Sequence, residues 1–156
     1  MSIFSQLLKN QVFACSAAGW FIAQLLKTII DMWSTGSFKM ERLYGNGGMP
    51  SSHSATVCAL VTSAVYVYGF SSFEFAISFF FALVVMVDAM GVRRETGKQA
   101  QLLNMMMEED FWNFDDPRAF EMRFKELIGH TPLQVMAGAI LGIVVAVAAE
   151  ILFYRV

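Results

Sequence analysis

The chain has few charged residues, prolines, cysteines and histidines. Asp, Glu, Lys and Arg make up only 15% of its 156 residues, whereas they account for about a quarter of a typical soluble domain. Hydrophobic residues make up 56%, and the mean hydropathy is +0.53. These values exclude an ordinary soluble domain and predict an integral membrane protein. The net charge of -2 says little, because the positions of the charges matter more than their sum. No nucleic-acid partner is expected.

The two cysteines and the N-terminal residues give two further expectations about this membrane protein. Cys15 and Cys58 both lie inside apolar runs, and neither has a partner at metal-ligand spacing. We therefore predict that both are small buried side chains. No basic region precedes an apolar core and a cleavage site, so the first apolar run is expected to stay in the mature protein. The length fits one membrane domain over residues 1–156.

Four apolar stretches are long enough to cross a bilayer as helices, which takes about 20 residues. They cover residues 12–33, 52–70, 73–90 and 132–154. Only two residues separate the second from the third, which predicts a tight antiparallel hairpin. The fourth carries Gly138 and Gly142 on one face, a spacing that allows close helix packing. The predicted fold is an all-α membrane bundle of four helices, with a long polar, partly helical section between helices three and four.

The polar section and the loop after the first span share one side of the membrane in this topology. Most lysines and arginines lie there, so the positive-inside rule predicts that this side is cytoplasmic. The polar section should hold a helix over residues 93–107, an acidic run at 108–110 and a surface helix over 117–128. The acidic run is expected to be solvated. The alternative is that it binds Mg²⁺ together with Asp88.

Residues 47–55 (GGMPSSHSA) join the first loop to the second span. Glycines let a backbone approach a ligand closely, and Ser51 and Ser52 are natural N-caps. The free N–H groups at such a helix start favour phosphate. His53 lies in this segment, and the other histidine of the chain, His130, precedes the fourth span.

The ends of all four spans bring polar groups to this membrane face. Gln24, Lys27 and Asp31 share one face of the first span, and a charge inside a span marks function by default. A purely structural Lys27–Asp31 pair is the alternative. Asp88 ends the third span, and Arg93 and Arg94 follow it. Two histidines among cations suit phosphoryl transfer from a monoester: one attacks phosphorus, the other protonates the leaving alcohol, and the cations hold the oxygens.

Three segments resemble the divergent PAP2 family, a membrane branch of the type 2 phosphatidic acid phosphatase and vanadium haloperoxidase superfamily. They are residues 47–55 (GGMPSSHSA), 88–94 (DAMGVRR) with 97–100 (GKQA), and 129–138 (GHTPLQVMAG). The resemblance covers nearly the whole chain. It implies that His53 is the general acid and that His130 is the nucleophile that becomes phosphorylated.

The resemblance implies a membrane lipid-phosphate phosphatase with membrane lipids and a lipid phosphate, such as phosphatidate or phosphatidylglycerophosphate, as its partners. No cofactor is expected, although the residues leave Mg²⁺ open. Four spans in place of the six of many family phosphatases make a homodimer plausible. Haloperoxidase activity is not expected, because those enzymes are generally soluble. The predicted substrate-binding residues are Lys27, Arg42, Ser51, Ser52, Arg93 and Arg94.

The sequence departs from the superfamily pattern at four places. One is the arginine of the third motif, which would fall at Phe124, six residues before His130, while Arg123 is one position off. Ser52 stands where the superfamily has glycine, and Gln134 stands where an aspartate orients the nucleophilic histidine. The first cationic motif is not intact: Lys27 with Arg42, or Lys39 with Arg42, are the candidates, and we favour Lys27. Asp88 and Gln134 are predicted to support the site. Because glutamine supplies no charge, the alternative function is a non-catalytic membrane protein that binds anionic lipid or a partner through the same cationic mouth.

Overall fold

A computed structural model describes residues 3–37, 48–108 and 129–155, and every regular element in these ranges is helical. This confirms the all-α prediction. The predicted helix over 117–128, the acidic residues Glu109 and Asp110, and Lys39 and Arg42 lie outside the described residues. The described helices are α1 (Ile3–Lys9), α2 (Gln11–Thr35), α3 (Ser52–Tyr68), α4 (Phe73–Met90), α5 (Val92–Glu108) and α6 (Pro132–Ala149), the last continuing into a π-helical turn (Glu150–Tyr154).

Within the described ranges, three helical segments are long and apolar enough to cross a membrane. They are Gln11–Thr35, Phe73–Met106 and Pro132–Tyr154. The protein is therefore an integral membrane protein. Helix α3 has 17 residues, the short end of the range for a spanning helix, so the fourth crossing stays a prediction.

Helix α3 lies at the centre of the bundle and packs against α6, α2 and α4. Its contact with α6 is a backbone contact, because a Cβ atom at Gly138 would overlap the carbonyl oxygen of Ser51, and one at Gly142 would overlap that of Ala55. On the other side, a Cβ at Gly19 of α2 would lie 3.1 Å from the same Ala55 oxygen. The predicted glycine face of the last span is thus used inside the chain, where small residues let helices approach.

The connection between α3 and α4 is the predicted tight hairpin. Gly69 ends α3 with a φ of 80°, a left-handed value that glycine adopts without strain. Three residues later Ser72 caps α4 by accepting a hydrogen bond from the Phe75 N–H at 3.1 Å. The hairpin places the start of α3 and the end of α4 at the same end of the bundle, where His53 and Asp88 lie.

The buried and exposed faces agree with a membrane environment. Both cysteines are free and buried, as predicted. Large apolar side chains remain exposed over much of α4 and α6, where lipid would cover them. Examples are Phe79, Phe80, Leu83, Val87, Met136, Ile140 and Val144.

Candidate functional site

The two histidines face each other at one end of the bundle. His53 is the second residue of α3, and His130 lies two residues before α6. Their ring centroids are 6.3 Å apart and the ring planes are inclined by 58°. The separation leaves room for a small group between the imidazoles, although 76 residues of sequence lie between them.

Backbone hydrogen bonds hold both histidines in place. The His130 N–H donates to the carbonyl oxygen of Ala89 at 3.0 Å, which ties the start of α6 to the end of α4. The Ser51 N–H donates to the carbonyl oxygen of Gln134 at 3.1 Å, which ties the start of α3 to the first turn of α6. Gly129 permits this arrangement, since its φ is 96° and a Cβ there would overlap the backbone of Arg93 and Arg94.

Gln134 determines which nitrogen of His130 carries the proton. Its side-chain oxygen accepts a hydrogen bond from the Thr131 N–H at 3.0 Å and lies 3.2 Å from His130 Nδ1. The Thr131 N–H can only donate, so it fixes the amide oxygen, not the amide nitrogen, at this position. The His130 Nδ1 must then carry the hydrogen, and Nε2 keeps its lone pair.

This glutamine is held in turn by a helix cap. Thr131 is the N-cap of α6, and its hydroxyl accepts from the Gln134 N–H at 3.3 Å, which completes a capping box. The sequence signal was present as a threonine three residues before a glutamine, next to Pro132. Sequence reasoning placed a helix start here without recognising the box, so it missed the part that Thr131 plays.

The surroundings of His130 favour the neutral imidazole. Its side chain is 5% exposed, and burial lowers the pKa of His130 below its ordinary value of 6.5. The hydrogen bond with Gln134 opposes this shift, while the charges of His53, Lys27 and Arg93 act with burial to lower the pKa. The lowered pKa favours the neutral imidazole, whose Nε2 lone pair can act as a nucleophile.

A cavity of about 210 Å³ opens beside the two rings. One wall comes from α4 and the start of α5, where Arg93 Nε donates to Asp88 Oδ2 at 2.5 Å and both side chains are partly exposed. The ion pair thus lies at the mouth. Sequence reasoning missed the apolar lining, which comes from Val84, Val85 and Ala89, because nothing in an apolar run distinguishes a cavity wall from a helix contact.

Lys27 reaches the site from α2. It is 3% exposed, and its stem lies beside Gly48, where a Cβ would be 3.1 Å from Lys27 Cγ. Its charge is one of those that act on His130. The structure therefore brings together Lys27, Arg93 and both histidines, which are far apart in the sequence.

The remaining predicted site residues are placed differently. Ser51 is fully buried, and its hydroxyl accepts from the N–H and the hydroxyl of Ser54 as the N-cap of α3. Ser52 is also buried, in the first turn of α3. Arg94 is exposed and does not line the cavity, and Arg42 lies outside the described residues. Their predicted roles in substrate binding stay predictions.

The described residues contain no group of three or more His, Cys, Asp or Glu side chains that could hold a metal ion. Asp88, a carboxylate on the cavity, is engaged by Arg93. Among the described residues, the lining holds one cation, Arg93, and one carboxylate, Asp88, which pair with each other, and the charge of Lys27 also acts on His130.

Comparison with known proteins connects this geometry to a family. The model of the divergent PAP2 family matches residues 8–145, a range that contains both histidines, Lys27, Arg93 and Gln134. The chain is similar to the uncharacterized membrane protein YuiD of Bacillus subtilis (strain 168), with 37% identity over 157 residues that cover 95% of this chain and 99% of the relative. No solved structure matches the chain.

Proposed function

Since the chain belongs to the divergent PAP2 family, we propose that it is a membrane phosphatase that hydrolyses a lipid phosphomonoester through a phosphohistidine. The observation that carries the proposal is the pair of imidazoles 6.3 Å apart, one of them held by Gln134 with its Nε2 lone pair available. Both histidines border the same cavity. They can therefore act from opposite sides of one phosphoryl group.

In the first step, the Nε2 lone pair of His130 attacks phosphorus. The P–N bond forms as the bond between phosphorus and the lipid alcohol breaks, and His53 in its protonated form gives its proton to the leaving oxygen. Gln134 accepts the Nδ1 hydrogen throughout, so the ring keeps one orientation. The lipid alcohol leaves, and His53 is now neutral.

In the second step, water hydrolyses the phosphohistidine. Neutral His53 takes a proton from the attacking water, the new P–O bond forms and the P–N bond to His130 breaks. Inorganic phosphate leaves, with His130 neutral and His53 protonated again. Lys27 and Arg93 are proposed to stabilise the charge on the phosphoryl oxygens in both steps, and Asp88 to hold Arg93 at the cavity mouth. These steps require no cofactor.

The substrate class follows from where the site lies. The cavity is at the end of membrane helices, so a phosphate head group in the interface with its tail in the bilayer is the fitting ligand. With the site on the cytoplasmic side, phosphatidate or phosphatidylglycerophosphate is preferred. Inorganic phosphate and the lipid alcohol are the expected products.

The test is phosphate release by the purified full chain from both lipids in mixed micelles, with and without Mg²⁺. We expect release by wild type without added metal and a loss of at least about 10³-fold in His130→Ala and His53→Ala. Lys98→Ala is the control, because Lys98 is an exposed cation of α5 whose partner is Glu95. Equal release by wild type and His130→Ala would exclude the phosphohistidine mechanism.

A second candidate is a non-catalytic protein that binds anionic lipid through the same cationic mouth. The uncharged Gln134 favours it, because an amide does not stabilise a developing imidazolium as a carboxylate would. This function predicts phosphatidate binding that is unchanged in both histidine variants and weakened in Arg93→Ala, with no phosphate release from any lipid.

A further inference from the structure

A second, larger cavity lies in line with the candidate site along the bundle. It measures about 570 Å³ and is bordered by α2, α3 and α4, a size within the range of small-molecule pockets. We refer to it as the tail cleft, and its apolar lining includes Val12, Phe13, Leu60, Ala64, Ile77 and Phe81. It continues to Asn10, Tyr68 and Glu74 at the end of the bundle opposite the histidines, so Leu60, Ala64, Ile77 and Phe81 lie on the side nearer the site. The tail cleft belongs to none of the steps proposed above.

The same face of α4 borders both cavities. Ile77 and Phe81 line the tail cleft, while Val84, Val85 and Asp88 line the histidine cavity. Their spacings of three and four residues place them on one side of a helix. Over the 11 residues from Ile77 to Asp88 the helix rises by about 16 Å.

Helix α3 repeats this alignment. His53 borders the histidine cavity, and Leu60 and Ala64 border the tail cleft. A separation of seven residues is two helical turns, so His53 and Leu60 lie on one face. Between them Val57 is buried in a cluster with Ala82, so packed side chains separate the two cavities inside the bundle.

Helix α2 borders only the tail cleft, through Phe13 and Ser16. Lys27 lies 11 residues after Ser16, three turns along the same face, and lines neither cavity. Helices α2 and α4 both pack on α3 and hardly on each other. Phe13, Ile77 and Phe81 are each exposed over about half of their surface, so the seam between α2 and α4 opens toward the bilayer.

We infer that the tail cleft binds the hydrocarbon tail of the substrate whose phosphate lies between His53 and His130. The inference rests on the proposed function for the head group. The distance of about 16 Å along α4 matches half of the hydrocarbon thickness of a bilayer, about 15 Å. One tail of a lipid in the leaflet next to the site would therefore lie along α4, with its phosphate at the cationic end. Entry through the α2–α4 seam needs no passage through water.

Photo-crosslinking detects the contact between the lipid tail and the tail cleft without requiring hydrolysis of the lipid. The probe is phosphatidate with a diazirine in the middle of one tail, incorporated into vesicles with the full-length protein. We expect labelled peptides containing residues 60–64 and 77–81, and loss of label when excess unlabelled phosphatidate is added. Label spread over the lipid-facing residues of α4 and α6, without competition, would show bulk lipid and overturn the inference. Absence of label from the cleft, as when a second copy of the chain covers it, would overturn it as well.

Turnover supplies a second test through a pair of variants on one helix. Ile77→Trp narrows the tail cleft, whereas Phe80→Trp enlarges a lipid-exposed side chain that does not line it. With long-tailed phosphatidate, Ile77→Trp should raise KM about tenfold, as expected when about two methylene groups lose an apolar contact. A short-tailed phosphatidate should be hydrolysed equally by both variants and wild type.

The experiments distinguish failure of the phosphatase proposal from failure of the tail-cleft proposal. If wild type hydrolyses both substrates and Ile77→Trp behaves as Phe80→Trp does, the tail contact is wrong and the phosphatase stands. If no substrate is hydrolysed but the competed crosslinks fall on the tail cleft, the phosphatase is wrong and the tail contact stands.

Discussion

The contact between α3 and α6 and the seam between α2 and α4 are opposite solutions to helix packing in this bundle. At the first, Gly138 and Gly142 let the backbones touch, and the backbone hydrogen bond from Ser51 to Gln134 ties the start of α3 to α6. At the second, the helices pack on α3 and leave a cleft of about 570 Å³ between them. The comparison assigns different functions to the two contacts. The close α3–α6 contact holds the two histidines in position, and the open α2–α4 seam is the proposed entrance for the lipid tail.

Disrupting the α3–α6 contact should have the largest effect of the changes considered, and the quantity affected is the free energy of unfolding. In Gly142→Val, the new side chain would overlap the carbonyl oxygen of Ala55, and backbone cannot move aside as a flexible side chain can. We expect a loss of unfolding free energy of about 3 kcal/mol, the upper end for overpacked sites, measured by denaturation in micelles. Ala148→Val is the control on the same helix at an exposed position. Similar stability of the two variants would show that α6 can shift, and that the contact is not rigid.

A change at Gln134 tests the site while sparing the helix contact. Gln134→Leu removes the acceptor of the His130 Nδ1 hydrogen but keeps the backbone carbonyl that binds Ser51. Without the acceptor the imidazole can adopt the wrong tautomer, and we expect phosphate release to fall by about 10²-fold or more. Gln101→Leu, at an exposed position of α5, should be silent. If Gln134→Leu still releases phosphate at the wild-type rate but melts at a lower temperature, Gln134 serves only to cap α6 and does not orient His130.

The charge of the side chain at position 134 should control the pH dependence of phosphate release. Because burial lowers the pKa of His130 below 6.5, the wild-type rate should rise with pH along an acid limb below 6.5, and it should fall again at the pH where His53 loses the proton that it donates. Gln134→Glu keeps the capping box and adds a negative charge that favours the imidazolium, so the acid limb should move to higher pH by about one unit or more. The pH profile of kcat/KM measures this shift. An unmoved acid limb would mean that His130 is not the group that titrates.

The smallest effect is expected at Gln24, a buried residue of α2. Its side chain is buried, and its oxygen has no hydrogen-bond partner among the described protein groups. Replacing such a group by an apolar one removes an unsatisfied acceptor and no bond to it. Gln24→Leu should therefore stay within about 1 kcal/mol of wild type in unfolding free energy. A loss well beyond the scatter of Gln101→Leu would reveal a stabilising contact of the glutamine.

Much of the fold and part of the site could be predicted from local pattern. Apolar length predicted where α2, α4 and α6 lie, and Gly69 to Ser72 predicted the hairpin. Because the hairpin returns the chain to one end of the bundle, His53 and Asp88 could be placed together from the order of the spans alone. His130 could be placed there by its position just before an apolar run, and Lys27 by the cost of a charge inside a span.

The sequence by itself determined which side chains reach this membrane face, since span length and turn position fix the end of each helix. Only the tertiary structure decided how the helices are rotated and how closely they approach. Contact between Gly142 and the Ala55 backbone sets the position of α6 against α3, and the same alanine meets Gly19 of α2. From these contacts follow the ring separation of 6.3 Å and the alignment of the two cavities. They depend on matched surfaces of segments far apart in the chain, which no local periodicity encodes.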